Sequence, residues 1–209
     1  MTPPDIGTVL QRLRDHGFEA FGHESRAAAV EAVLAAVPPA ATVSRCGSAT
    51  CSELGLFDAL ARRGIRVLDP YVADLPPEAK ERTRRQGLLA DVLLTGVNAV
   101  TADGTLVVID GVGNRVAGKI FGPGLVIVVA GVNKIVADQA AALHRIKTVA
   151  CPRNARRLGL DTPCAQDRPC PEPDGCSSPR RMCNVTVVLA RRPRLTRYQI
   201  HLVNEALGF

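Results

Sequence analysis

Residues 91–136 read DVLLTGVNAVTADGTLVVIDGVGNRVAGKIFGPGLVIVVAGVNKIV, and this stretch decides the fold class. Val92–Thr95, Thr105–Asp110 and Leu125–Ala130 are short apolar runs with almost no polar alternation. Such runs are expected of strands buried on both faces, as in sheets covered by helices. Glycine-rich turn signals separate them: Gly111-Val112-Gly113-Asn114-Arg115, then Gly122-Pro123-Gly124. The close spacing between 105 and 130 leaves little room for crossover helices, so at least one hairpin-like connection is expected here.

Outward from this stretch, helical periodicity alternates with short strands. Residues 5–15 place Ile6, Val9, Leu10 and Leu13 on one helical face. Ser25 caps a second helix carrying Val30, Val33, Leu34 and Val37, which Pro38 and Pro39 stop. Ala41–Arg45 is a strand candidate. Thr50 and Glu53 have capping-box spacing, which predicts a helix from there to about Arg63, ended by Gly64. Ile65–Leu68 is the next strand, and Pro76 and Pro77 open a charged helix to about Leu89. Asp138 caps a predicted helix to about Val149, and a short helical piece ends at Gly159. Val185–Leu189 and Gln199–Val203 read as closing strands. The alternation predicts an α/β protein, a mixed sheet with helices on both faces. We divide it into an α/β domain (1–150), a cysteine-rich segment (151–184) and closing strands (185–209).

Only 3% of the 209 residues are aromatic, so Ala, Val, Leu and Ile must build the core. No stretch reaches the ~18 apolar residues of a membrane span, and the first residues lack the apolar core of a signal peptide. The expectation is a cytoplasmic protein without membrane contact. The net charge of +6 is local: residues 151–197 hold ten Arg and four acids, while the rest of the chain is balanced. Nucleic-acid patches interleave cations with stacking aromatics, which are absent here. A basic skin over a site of negative charge suits this distribution better.

Seven cysteines, an odd number without a secretion signal, argue against a disulfide framework. Cys164, Cys170, Cys176 and Cys183 fall within twenty residues on an aperiodic, Pro-rich segment. Four thiolates are the complement of a [4Fe–4S] cluster and also of tetrahedral zinc. Zinc knuckles use tighter Cys pairs, which favours iron–sulfur, and unliganded surface cysteines are the bland alternative. Gly47, Ser48 and Thr50 sit at a strand-to-helix junction where backbone N–H groups and hydroxyls can receive an anion, although taken alone the junction reads more simply as a plain capped turn. Asn98 and Lys134 directly follow apolar strands, where ligands gather in open α/β sheets. Asp103 and Asn114 join them as cleft candidates, although turn chemistry accounts for both. Cys46 and Cys51 read as small buried hydrophobes, and the four His form no pattern.

Gly96–Thr105, Asp110–Val116, Gly122–Pro123, Gly131–Val136, Asn154–Leu158, Thr162–Cys164, Ser178–Asn184 and the tail Leu202–Phe209 together resemble the LUD-domain (lactate utilization) family, in particular its branch with a C-terminal cysteine motif. The resemblance implies a fold similar to the ribose-phosphate isomerase and CoA-transferase group. It also implies a role in oxidising lactate or a related hydroxy acid, electron-transferring or accessory, alongside iron–sulfur partner proteins. The alternative function is an enzyme that binds a small anionic metabolite in the cleft, its metal site purely structural. Two departures stand out. The branch has two residues between its second and third cysteines, where this chain has Pro171–Gly175. It also tends to carry an acid where this chain has Ala102.

Overall fold

Two sheets share the core. The computed structural model describes residues 5–170 and 176–209; the Pro171–Gly175 interval lies outside these. The chain begins with α1 (Ile6–Asp15), β1 (Glu19–His23), α2 (Arg26–Ala36) and β2 (Thr42–Arg45). Next come α3 (Ala49–Glu53), α4 (Leu56–Arg62), β3 (Arg66–Leu68), α5 (Pro77–Gln86) and β4 (Val92–Gly96). A hairpin of β5 (Ala99–Thr101) and β6 (Leu106–Asp110) precedes α6 (Asn114–Ile120), β7 (Leu125–Gly131) and β8 (Ile135–Val136). The last elements are α7 (Gln139–Arg145), α8 (Cys151–Arg157), β9 (Val185–Leu189) and β10 (Arg197–Val203).

The larger sheet has the order β1-β10-β7-β4-β2-β3 and is parallel throughout. One face packs Val43, Leu94, Ile127 and Val129 under α2 and α4. The other packs Leu93, Val126, Val128 and Ile200 against α1 and the smaller sheet. Both faces are therefore covered, which is why these strands read as unbroken apolar runs. The smaller sheet, β8-β5-β6-β9, holds the antiparallel pairing. Its outer face buries Ala99, Val107 and Ile109 under Ala142 and Ile146.

Local differences from the sequence expectation have identifiable causes. The hairpin joins β5 to β6, while β6 and β7 lie in different sheets. The two C-terminal strands also separate: β9 pairs with β6, and β10 runs between β1 and β7. The helix expected over residues 50–63 is two helices, because Gly55 takes a left-handed conformation at φ 62°. Ser48, not Thr50, caps the first of them, accepting from the Cys51 N–H at 3.2 Å. Asp138 caps α7 as expected, but the helix continues through a π-helical turn, Ile146–Ala150, into α8. Pro152 has no N–H for the helical ladder, and the wider turn before it absorbs the missing bond. Strand β1 carried no clear period in the sequence, being five residues with a glycine inside.

Candidate functional site

The connections after β2 and β4 run to opposite sides. From β2 the chain moves outward to β3, then crosses back to β4 on the other flank of β2. Such a reversal leaves a crevice at the carboxyl ends of the two strands. Gly47 and Ser48 follow β2, Gly96–Asn98 follow or end β4, and all line one cleft of about 270 Å³. The end of β6, Asn114 and Arg115 of α6, Lys134, and Cys151, Asn154 and Arg157 of α8 complete the walls.

Arg115 organises this cleft. Its guanidinium donates to the Gly47 carbonyl at 3.2 Å, to Asn98 Oδ1 at 3.1 Å and to the Ile109 carbonyl. Asn98 Oδ1 also accepts from the Ile109 N–H at 3.0 Å, so this amide positions the arginine and ties β6 to β4. The Asp110 carboxylate accepts backbone N–H bonds from Gly111, Arg115 and Val116. It is therefore spent on the turn that opens α6.

Lys134 lies 3% exposed, donating to Thr50 Oγ1 at 2.7 Å. Thr50 in turn donates to the Leu207 carbonyl at 3.3 Å. Burial, reinforced by Arg145, pushes the Lys134 amine down to about 8, so it stays mainly charged at neutral pH. Arg145 donates to the carbonyls of Asn133 and Asn98, bracing two strand ends together. Tyr71 stands over Gly47, where a Cβ would meet its hydroxyl at 2.9 Å. Its ring lies near the guanidinium groups of Arg45 and Arg84. Among the described lining residues, Arg84, Arg115, Lys134 and Arg157 oppose one carboxylate, Asp110. The cleft is thus electropositive, partly desolvated and sized for a small anion.

Gly47, Ser48, Asn98 and Lys134 thus meet on one cleft, while Thr50 stands behind Lys134. Asn114 also lines it, donating to Cys46 Sγ at 3.6 Å. Asp103 does not: it bonds Thr101 at the tip of the hairpin. The junction does not work as a helix-terminus anion site, because α3 spans only five residues. Side-chain cations carry the charge instead. Arg115, Arg84 and Arg157 were missed. Arg115 stands five residues past β6, where the glycine-rich turn dominates the reading. Cys46 and Cys51 are both buried, as read.

The cysteine segment borders the same cleft. Asn184 bonds the carbonyls of Asp110 and Gly111, and Asn154 of α8 donates to Met182 Sδ at 3.0 Å. Cys164, Cys170, Cys176 and Cys183 are all half-buried. Arg181 donates to the carbonyls of Cys176 and Cys183. Cys164 and Cys170 line a second cleft of about 470 Å³ with His144, Lys147 and Arg168. The donor chemistry, thiols under a basic surface, suits a thiolate-ligated iron centre of net negative charge. Among the described residues, no three His, Cys, Asp or Glu are already gathered about one ion position.

The fold defines an open, doubly wound α/β protein with a cleft at its topological switch point. The LUD domain profile matches residues 6–203, and the chain belongs to that family. A similar solved structure is that of a DUF162 family protein from Deinococcus radiodurans, with TM-score 0.54 and 15% identity over 95% of this chain and 96% of that one. No protein of curated function matches. Among the described residues, no helix is long and apolar enough to cross a membrane.

Proposed function

We propose that the cleft binds a small carboxylate, lactate or a related hydroxy acid. We further propose that the neighbouring thiols of Cys164, Cys170, Cys176 and Cys183 hold a [4Fe–4S] cluster, with zinc as the alternative metal. Together these give the protein an electron-transfer or accessory role in hydroxy-acid oxidation, served by iron–sulfur partner proteins. The observation that carries the reading is the cleft itself: cations from four different elements or loops converge where the one carboxylate is already committed to capping. Arg115 is held by Gly47, Asn98 and Ile109, so its charge is fixed in place before a ligand arrives, with one Nη1 hydrogen still to donate. Lys134 adds a point charge, and Asn114 and Asn154 offer amides to a hydroxyl. A bound cluster would supply one-electron transfer beside the cleft. The chain's own side chains bind and orient the acid.

Calorimetric titration of the full chain with lactate, and with phosphate as comparison, tests the cleft. The expected result is lactate binding tighter than about 1 mM, weakened at least tenfold in Arg115→Met and Lys134→Met proteins that melt like wild type. No heat with any small carboxylate would overturn the cleft reading. Iron counted in anaerobically prepared protein tests the cluster: about four per chain supports it, one zinc without iron leaves a structural site, and no metal removes both.

A further inference from the structure

Arginine supplies most of the positive charge of this chain; only Lys80, Lys119, Lys134 and Lys147 are lysines. On the cleft wall Arg84, Arg115 and Arg157 are arginines, which keep their proton at any physiological pH. Lys134 is the one cation of the wall that can shed its own. It closes the short 3-10 turn Val132–Lys134 after β7 and is buried. Among the described residues no carboxylate pairs with its amine. Glu53, whose charge reaches it, is engaged by Arg26 and by the Gly208 N–H. The Thr50 hydroxyl spends its own hydrogen on the Leu207 carbonyl and therefore accepts one from the amine. The lone pair of the neutral amine is left uncommitted. The tail seals this corner. Asn133 bonds the Leu207 N–H and the Gly208 carbonyl, and Gly208 packs so closely that a Cβ would meet Thr50 Oγ1 at 2.6 Å. Phe209 lines the cleft with Lys134. A desolvated amine near other cations, with no acid to hold its proton, is the setting in which lysine becomes a nucleophile. Burial, Arg145 and Arg115 all push the Lys134 amine in that direction.

Resting on the carboxylate-binding reading of the cleft, we infer that Lys134 condenses with the keto group of a 2-oxo acid, the oxidised counterpart of the hydroxy acids proposed above, and holds it as an imine. Arg115 takes the carboxylate with its remaining Nη1 hydrogen. Asn98, its Oδ1 engaged by Arg115 and Ile109, has Nδ2 hydrogens left for the keto oxygen. The neutral Nζ adds to C2, and the carbonyl π pair moves to oxygen. The carbinolamine then loses that oxygen as water while the C=N bond forms. Counted from the ammonium, the products are one iminium and one water, with no net exchange of protons or electrons. The cleft thereby retains a 2-oxo acid covalently and reversibly, whereas a hydroxy acid, lacking the keto carbon, binds through its charge alone.

The test incubates the full chain with pyruvate, reduces it with sodium borohydride and reads intact mass and peptide maps. The reduced imine adds the mass of pyruvic acid less one oxygen. A single adduct is expected on Lys134, at least about tenfold above Lys80, Lys119 and Lys147. Lys119, buried but off the cleft wall, serves as the internal control. Acetone, which has the keto group without the carboxylate, should leave Lys134 unlabelled, and Lys134→Arg, which keeps the charge, should lose the pyruvate adduct. Labelling spread evenly over the four lysines, undiminished in Lys134→Arg, or equal with acetone overturns the inference. The wild-type map alone decides the site, without a variant that could misfold. No adduct in a protein that still gives heat with lactate overturns the imine alone. No adduct and no heat with either acid overturns the cleft reading as well.

Discussion

Lys119 carries its amine from α6 into the protein interior, fully buried and with no hydrogen-bond partner among the described residues. Burial, helped by Arg115, pushes it down to about 7. The unfolded chain holds the lysine proton up to the ordinary range near 10.4. The unfolded state therefore binds more protons between these values, and stability is lost as pH falls from about 10 to 7. Lys119→Met should stabilise the protein by about 3 kcal/mol at or below pH 7, and by progressively less as pH rises toward 10, in denaturant titrations. His201 behaves in the same sense. It is 2% exposed on β10, paired with His23 at 2.9 Å and pushed down to about 4 by burial and that neighbour. Stability tied to its neutral form is complete above the unfolded value of about 6.5 and is lost as pH falls from there to about 4. Wild type should lose roughly 3 kcal/mol more than His201→Gln across that window, read as the difference between their melting curves. Neither residue was legible in the sequence as a buried titrating group. An isolated Lys or His has no periodic partner, and its burial is decided by the opposite face of its own element.

Elements were read best where one force dominates. The apolar runs at β4, β6 and β7 were legible because burial on both faces leaves no room for polar residues. The cap before α3 was misplaced by two residues. Thr50 and Glu53 carry the capping spacing, but Glu53 is committed to the Gly208 N–H at 2.8 Å and Ser48 takes the cap. A tail contact more than a hundred residues away outcompeted a local motif, which no local reading detects. The β5–β6 hairpin shows the same principle favourably. Asp103-Gly104 was a turn signal, and Gly104 adopts φ 86°. A Cβ there would also meet the backbone of Arg12 at 2.7 Å, so the turn is pressed onto α1. Gly104→Ala combines left-handed strain with a backbone clash and should cost at least about 2 kcal/mol, lifting the hairpin from α1. Gly55→Ala meets nothing within 4 Å and should cost only about 1 kcal/mol. Parallel denaturant curves check the ordering, and equal losses would contradict it.

At the scale of the molecule, the cleft lies where the strand order reverses, and the cysteine segment folds over its rim. Asn98 and Lys134 were legible because each comes shortly after an apolar strand. Gly47 and Ser48 were legible as a junction, although for a reason the short α3 does not support. Arg115, Arg84 and Arg157 were not legible, because convergence from separate elements is a property of topology and leaves no local spacing. The central claim joins an acid-binding cleft to a neighbouring thiol-held cluster. The visible spectrum of anaerobically purified protein, recorded before and after adding lactate, tests both halves at once. The account predicts a broad thiolate-to-iron band whose position or intensity shifts on addition, with the shift lost in Arg115→Met. A colourless, iron-free protein, or an iron band that lactate leaves unchanged at saturating concentration, would contradict it.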